Sequence, residues 1–183
     1  MGSLEIIMGP MFSGKTELLI EKHNAEFCKN PHGSMEKIIA FNYHKDTRYG
    51  KDGIISHSGK KISSIHIEKL SEIFKDDNFS KRTHIFINEA QFFPDLKVCI
   101  IKLVEEYNKN VVICGLDSDF KREKFGDMWD LIPYSDNIVK LKGTCNDCSM
   151  PSLFTFRITN EKGQEVIGVE NYIPLCRKCY NSR

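Results

Sequence analysis

The chain has 183 residues, 40% of them apolar and 28% charged, with a formal net charge of +1. That length suffices for one good core with room for a small appendage, and the composition is that of an ordinary soluble globular protein. The near-neutral balance excludes a global basic field of the kind that binds nucleic acid or an anionic membrane, and no apolar run approaches the ~18 residues of a transmembrane helix.

The first strand-like run, residues 4–8, leads directly into Gly9-Pro10-Met11-Phe12-Ser13-Gly14-Lys15-Thr16. This stretch fits the phosphate-binding loop pattern G-x-x-x-x-G-K-[ST] without a mismatch. A helical pattern over residues 15–29 follows, so the loop stands between strand and helix, as the motif requires. Glycines let backbone N–H groups turn toward one point, and the helix N-terminus adds partial positive charge there. Lys15 then reaches the β- and γ-phosphates, and the Thr16 hydroxyl can ligate Mg²⁺. The plainer alternative is a glycine turn before an ordinary helix, and the strand–loop–helix context weighs against it. Binding of a nucleoside triphosphate is therefore expected. The N-terminus lacks the charged-then-apolar layout of a signal peptide, so a cytoplasmic protein is expected.

Further strand-like runs lie at residues 37–41, 84–87, 110–114 and 137–141, with helical patterns at 69–75 and 95–107. Pro94-Asp95 marks a helix start, and Ile100, Ile101, Leu103, Val104 and Tyr107 give that helix an apolar face. Alternating strands and helices predict an α/β domain over residues 1–142, a P-loop-type, mostly parallel sheet flanked by helices. Ligands bind beyond the carboxyl ends of such strands, so sites should cluster at 9–16, 42–49, 88–93 and 115–126. The polar, glycine-bearing stretch 46–59 reads as a mobile loop or a hairpin.

The run at 84–87 ends in Asn88-Glu89. A carboxylate on this rim lies near the γ-phosphate and could take a proton from an attacking hydroxyl. The competing reading is a solvated glutamate after a strand.

Of seven cysteines, Cys28, Cys99 and Cys114 stand alone and read as reduced thiols. The other four form Cys145-Asn-Asp-Cys148 and Cys176-Arg-Lys-Cys179, a pattern that reads as a structural Zn²⁺ site. The 27 residues between the pairs exceed the usual ~15–20, a gap that a longer hairpin could fill. Two unrelated pairs or a redox-active dithiol are the alternatives, the latter without the neighbouring βαβ pattern it needs. Two β-like runs, 153–158 and 165–169, lie between the pairs. Residues 143–183 are thus expected to form a small zinc-ribbon subdomain.

With these residues assembled, the chain resembles the type II thymidine kinases, the cellular and poxviral family, over residues 4–180. Besides the P-loop, Lys45-Asp46-Thr47-Arg48-Tyr49 resembles the segment after the second strand. Glu89-Ala-Gln-Phe-Phe-Pro94 resembles the catalytic segment. Gly115-Leu-Asp117 with Phe120, Phe125 and Gly126 resembles the segment enclosing the nucleoside. The paired cysteines, with Val166-Ile-Gly168 and Tyr172 between them, resemble the zinc-bound lasso.

The resemblance implies a reaction in which ATP and thymidine give ADP and thymidine monophosphate. Glu89 would deprotonate the 5′-hydroxyl, with Lys15 and the loop from Gly9 to Thr16 (Pro10, Met11, Phe12, Ser13 and Gly14 included) holding the phosphates. Arg48 would stabilise the transferring phosphoryl and Asp46 would assist around phosphates and metal. Thr16, with Asn88 through water, would hold Mg²⁺. Met11, Phe92, Leu116, Phe120, Phe125, Thr155 and Tyr172 would line the nucleoside pocket, and the backbone around Val166 would read the thymine edge. Without the resemblance, Phe125 and Tyr172 read equally well as core packing. It further implies inhibition by thymidine triphosphate and a homotetramer or homodimer, while charge and apolar-run length argue against nucleic acid or membrane as partner.

Two departures stand out. Asn88 occupies a position where the family has Asp, which implies weaker Mg²⁺ binding with activity retained, and residues 168–172 are one residue shorter than the usual stretch. The rival readings are a kinase for deoxyuridine or deoxycytidine, a catalytically dead relative, and an ATP-regulated nucleic-acid-binding module. The last would use Arg157, Lys162, Arg177, Lys178 and Arg183, which Glu161, Glu165 and Glu170 offset.

Overall fold

The structure is a computed structural model, and it describes residues 1–29, 34–46, 53–161, 163–164 and 168–183. The first strand, β1 (Ser3–Gly9), alternates Leu4, Ile6 and Met8 on one face with Ile7 on the other. Both sets are buried, as expected of a strand covered on both faces. Helix α1 (Lys15–Lys29) buries Leu19 and Ile20. A single turn, α2 (Ser34–Lys37), precedes β2 (Ile38–Tyr43), in which all six residues are buried. The short strands β3 (Ile54–Ile55) and β4 (Lys61–Ile62) pair antiparallel, a hairpin that starts within the stretch 46–59 and ends beyond it; residues 47–52 lie outside the described residues.

Strand β5 (Ile65–Ile67) and a 3₁₀ turn at Leu70–Lys75 lead to β6 (His84–Ile87). A 3₁₀ turn at Ala90–Phe92 then leads to α3 (Leu96–Ile101), β7 (Asn110–Leu116), a further 3₁₀ segment at Met128–Tyr134, and β8 (Asn137–Lys140). The sheet order is β5-β2-β6-β7-β1-β8, and every pairing is parallel. One core, with Leu4, Ile6, Ile85, Ile113, Leu96 and Leu103, lies under α3. The other, with Ile7, Leu19, Ile20, Phe86 and Cys114, lies under α1 and the β3–β4 hairpin.

The strand at the β5 edge has no counterpart among the predicted runs, because three residues with His66 at the centre carry too little periodicity. The predicted helix over 95–107 is really two segments. Its second half, Lys102–Glu106, widens to π geometry, closed by Tyr107 N–H on the Lys102 carbonyl at 3.0 Å. Asp95 stands at the N-cap of α3 without capping it. Its carboxylate instead accepts the N–H groups of Leu70 and Ser71, each at 2.9 Å.

After the sheet, β9 (Gly143–Thr144) pairs with β10 (Pro151–Ser152), and β11 (Phe154–Arg157) with β12 (Tyr172–Leu175), before α4 (Arg177–Asn181). In the run predicted at 165–169, Val169 opens a 3₁₀ turn, and the strand that pairs with β11 is at 172–175. Pro174 hides it from propensity reading, and an edge strand tolerates that proline because no ladder needs its N–H. Residues 165–167 lie outside the described set. No helix among the described residues is long and apolar enough to cross a membrane.

Burial pushes the Asp95 carboxyl up, but its hydrogen bonds from Ser71 and Leu70 outweigh this and hold it below the ordinary value. Asp95→Ala is expected to cost about 1–2 kcal/mol at neutral pH, partial exposure limiting the effect. A depressed pKa places that contribution above the unfolded carboxyl's pKa and removes it as pH falls through the folded value. Urea titrations of both proteins at pH 7 and in acid check this, and equal stability at pH 7 would contradict it.

Candidate active site

The parallel sheet brings the ends of β1, β2, β6 and β7 to one rim, where a cavity of about 170 Å³ opens. The phosphate loop forms its floor. Gly9 leaves β1 with φ +157, where a Cβ would strike the Leu141 carbonyl. Lys15 Nζ lies 2.7 Å from the Pro10 carbonyl, and the first helical bond runs from Leu18 N–H to Gly14 at 3.0 Å. The Met11 N–H donates to the Thr155 hydroxyl at 2.9 Å, tying this loop to β11.

Across the cavity, Glu89 sits in the left-handed region at φ 53, ψ 42 and is 8% exposed. A non-glycine residue is held there only when its surroundings fix it. Gln91 supplies part of that hold. Its Nε2 donates to Glu89 Oε2 at 2.7 Å, and its Oε1 accepts the Leu116 N–H at 3.0 Å. Gly126 passes close over Gln91 at φ +58, where a side chain would collide with the Gln91 carbonyl. Gln91 was not among the predicted site residues. Its one sequence signal is its place two residues after Glu89.

Of the residues predicted for phosphate, metal or catalysis, Met11, Phe12, Ser13, Gly14, Lys15, Thr16, Asp46, Asn88 and Glu89 line this cavity. Phe92, Leu116, Phe120, Phe125, Thr155 and Tyr172 line it as well. Gly9 and Pro10 frame the loop behind it. Arg48 and Val166 lie outside the described residues. An aromatic row crosses the wall. Tyr43 stacks on Phe92 at 5.1 Å, and Phe92 meets Phe125 edge-on at 5.3 Å. Tyr43 was missed because a strand-end tyrosine reads as core.

The lid of the cavity is organised by Arg157, which is 5% exposed. Its guanidinium donates to the carbonyls of Glu161, Gly163 and Gln164 and to the Tyr172 hydroxyl at 2.6 Å, and it lies 3.7 Å over the Phe120 ring. Gln164 Nε2 reaches Asp119 Oδ2 at 2.9 Å. Arg157, weighed in sequence as one of five cations that could grip a polymer, is therefore consumed internally. Arg183 is paired with Asp147 at 2.7 Å. The nucleic-acid reading loses two of its cations.

The sulfurs of Cys145, Cys148, Cys176 and Cys179 all lie within 4.8 Å of one another, with Cys148 and Cys176 at 3.6 Å. Four thiolates about 2.3 Å from a tetrahedral Zn²⁺ need such spacings, so the cluster is compatible with structural zinc. Proton sharing within it is uneven. At Cys145 burial pushes the thiol up, but backbone hydrogen bonds at Cys176, Asp147 and Cys148 overrule it and bring it to about 6. Hydrogen bonding with the Cys148 and Cys176 thiols pushes Cys179 up to about 12.

A family model described as "Thymidine kinase" matches residues 2–180. The chain belongs to the thymidine kinase family. It is 38% identical over 185 residues to a thymidine kinase of Oryza sativa subsp. japonica, covering 98% of this chain and 66% of that protein. It is 37% identical over 180 residues to a thymidine kinase of Mycoplasma mobile, covering 98% and 87%. With a thymidine kinase of Sheeppox virus it shares 36% identity over 180 residues, covering 98% and 97%. The chain thus spans just under two thirds of the rice protein's length and nearly all of the poxviral one's.

For this family member, the cysteine geometry predicts about one zinc per chain by elemental analysis, falling well below that in Cys148→Ser. Because the cluster joins β9–β10 to the start of α4, it closes the long 153–175 hairpin at its base. Full zinc removal is therefore expected to weaken thymidine binding, and unchanged affinity in the metal-free protein would contradict this role.

Proposed function

We propose that the chain is a thymidine kinase, transferring the γ-phosphoryl of ATP to the 5′-hydroxyl of thymidine. The observation that carries this reading is a cavity lined at once by the Gly9–Thr16 loop, by aromatic side chains and by Glu89. Phosphoryl transfer is mostly positioning and charge stabilisation, and the elements that such a reaction needs face one another here. A nucleoside with its base between Phe92, Phe125 and Tyr172 presents its sugar toward Glu89. Gln91 orients the Glu89 carboxylate to accept the 5′-hydroxyl proton as the oxygen attacks the γ-phosphorus. Lys15 and the backbone N–H groups before α1 hold the phosphates. Arg48 is proposed to meet the charge developing on the transferred group, with Asp46 beside it, and the backbone around Val166 to read the thymine edge.

The oxygen donors at this rim suit Mg²⁺. Thr16 Oγ1 and Asn88 Oδ1 lie 3.3 Å apart, and Asp46 lines the same cavity. Thr16 would ligate the ion and Asn88 would hold one of its waters. When bound, Mg²⁺ neutralises charge on the phosphate oxygens. Thymidine triphosphate would set its base in the pocket and its phosphates toward the loop, so it should compete with both substrates. The pocket alone separates thymidine from deoxyuridine by one methyl group, about 1–3 kcal/mol.

An ADP-release assay with thymidine, deoxyuridine, deoxycytidine and deoxyguanosine tests the proposal. Release is expected to be strongest with thymidine and absent with deoxyguanosine. Glu89→Gln should lower kcat by about 10²–10⁴-fold with little change in nucleotide affinity. Unaltered turnover in Glu89→Gln would remove Glu89 from its role, and no nucleoside-dependent release would overturn the kinase reading.

A further inference from the structure

Asn42, near the end of β2, lies outside the set of residues assigned to the site above, yet it is 2% exposed and contacts that site through Asn88, which is equally buried. Asn42 Nδ2 faces Asp46 Oδ2 at 3.2 Å and His66 Nε2 at 3.2 Å. Asn88 Nδ2 donates to Asn42 Oδ1 at 2.9 Å. Asn88 Oδ1 then accepts from the Thr16 hydroxyl at 3.3 Å and from the Cys114 thiol at 3.0 Å.

The direction of this chain of bonds follows from its first member. A carboxylate only accepts, so the Asn42 atom facing Asp46 must be its nitrogen. The Asn42 oxygen must then face Asn88, which turns the Asn88 nitrogen inward and its oxygen toward the phosphate loop. The Thr16 hydroxyl meets an acceptor there and points its proton at Asn88. Its lone pairs are thereby turned away from Asn88, the orientation a metal ligand needs. With either amide reversed, Thr16 would meet an N–H group and could not place its proton there.

We propose that Asn42 is a positioning residue for Mg²⁺ binding, relaying the acceptor character of Asp46 through Asn88 to the Thr16 hydroxyl. The relay matters because residue 88 is an amide. A carboxylate at 88 would present oxygen on both sides and need no orienting partner. This inference rests on the kinase reading and deepens its metal site.

Calorimetric titration of ATP with Mg²⁺, and again with EDTA, gives the factor by which magnesium strengthens ATP binding. Asn42→Leu is expected to reduce that factor by about 10-fold or more, as loss of an outer-shell partner does, with metal-free ATP affinity unchanged. In an Asn88→Asp background the same Asn42→Leu change is expected to leave the factor unaltered. A general structural role for Asn42 would lower it in both backgrounds, and that result overturns the relay. So does an undiminished factor in Asn42→Leu alone. Asn42→Asp serves where the leucine variant fails to fold. Two carboxyl groups this close share a proton, so the acid form keeps both the donor to Asp46 and the acceptor for Asn88. The factor should persist in this variant, and its loss there also overturns the proposal. If the unsubstituted chain shows no magnesium effect at all, the kinase reading fails and not the relay alone.

Discussion

Parallel pairing of β6, β7 and β1 sets three strand ends on one rim, and the site's geometry depends on that register. Ile113 of β7 lies opposite Ile87 of β6 on one side and Ile6 of β1 on the other. The chain therefore leaves β6 at Asn88 and β1 at Gly9 close enough for the Thr16 and Asn88 side chains to bond. A one-residue slip would turn Ile6, Ile85 and Ile113 away from their core and carry the loop and carboxylate out of alignment together. Burial on both faces of the sheet is what forbids the slip, so packing far from the chemistry fixes its distances.

A second coupling joins the sheet to the cysteine-bearing segment. The Met11 N–H, within the phosphate loop itself, is held by the Thr155 hydroxyl of β11. Thr155 also lines the cavity. Arg157, two residues on and on the same face of that strand, gathers the carbonyls of 161, 163 and 164 and stacks on Phe120. The cover of the pocket is thus built around one buried guanidinium, whose planar fork suits several carbonyls at once. The cysteine cluster closes the same hairpin at its other end.

Much of this arrangement is legible in the sequence because strong local signals carry it. The P-loop pattern places the first strand, the turn and the first helix, and apolar runs place four more strands of the sheet to within a few residues. The paired cysteines announce a cluster that the structure brings together. What stays hidden has physical reasons. The β5 edge is too short to show a period, and β12 is masked by Pro174. Asp95 looks like a helix cap while its carboxylate serves a different turn. Gln91 and Asn42 act through contacts 25 and 46 residues away in sequence, and Arg157 through the Phe120 ring before it and carbonyls after it, and no local pattern marks an amide or a guanidinium for such a task. Asn88 is the reverse case. The family resemblance read from the sequence marks it as a departure, and only its neighbours show that an amide there is oriented on both sides.

The most direct test of the central claim, that phosphate loop and aromatic pocket form one catalytic centre, follows the phosphoryl group itself. The chain is incubated with γ-labelled ATP, Mg²⁺ and thymidine, and the label is located among the products. The account predicts label in the 5′-monoester of thymidine, formed only when the nucleoside is present. Label released solely as inorganic phosphate, or retained in ATP at every nucleoside concentration, would contradict it.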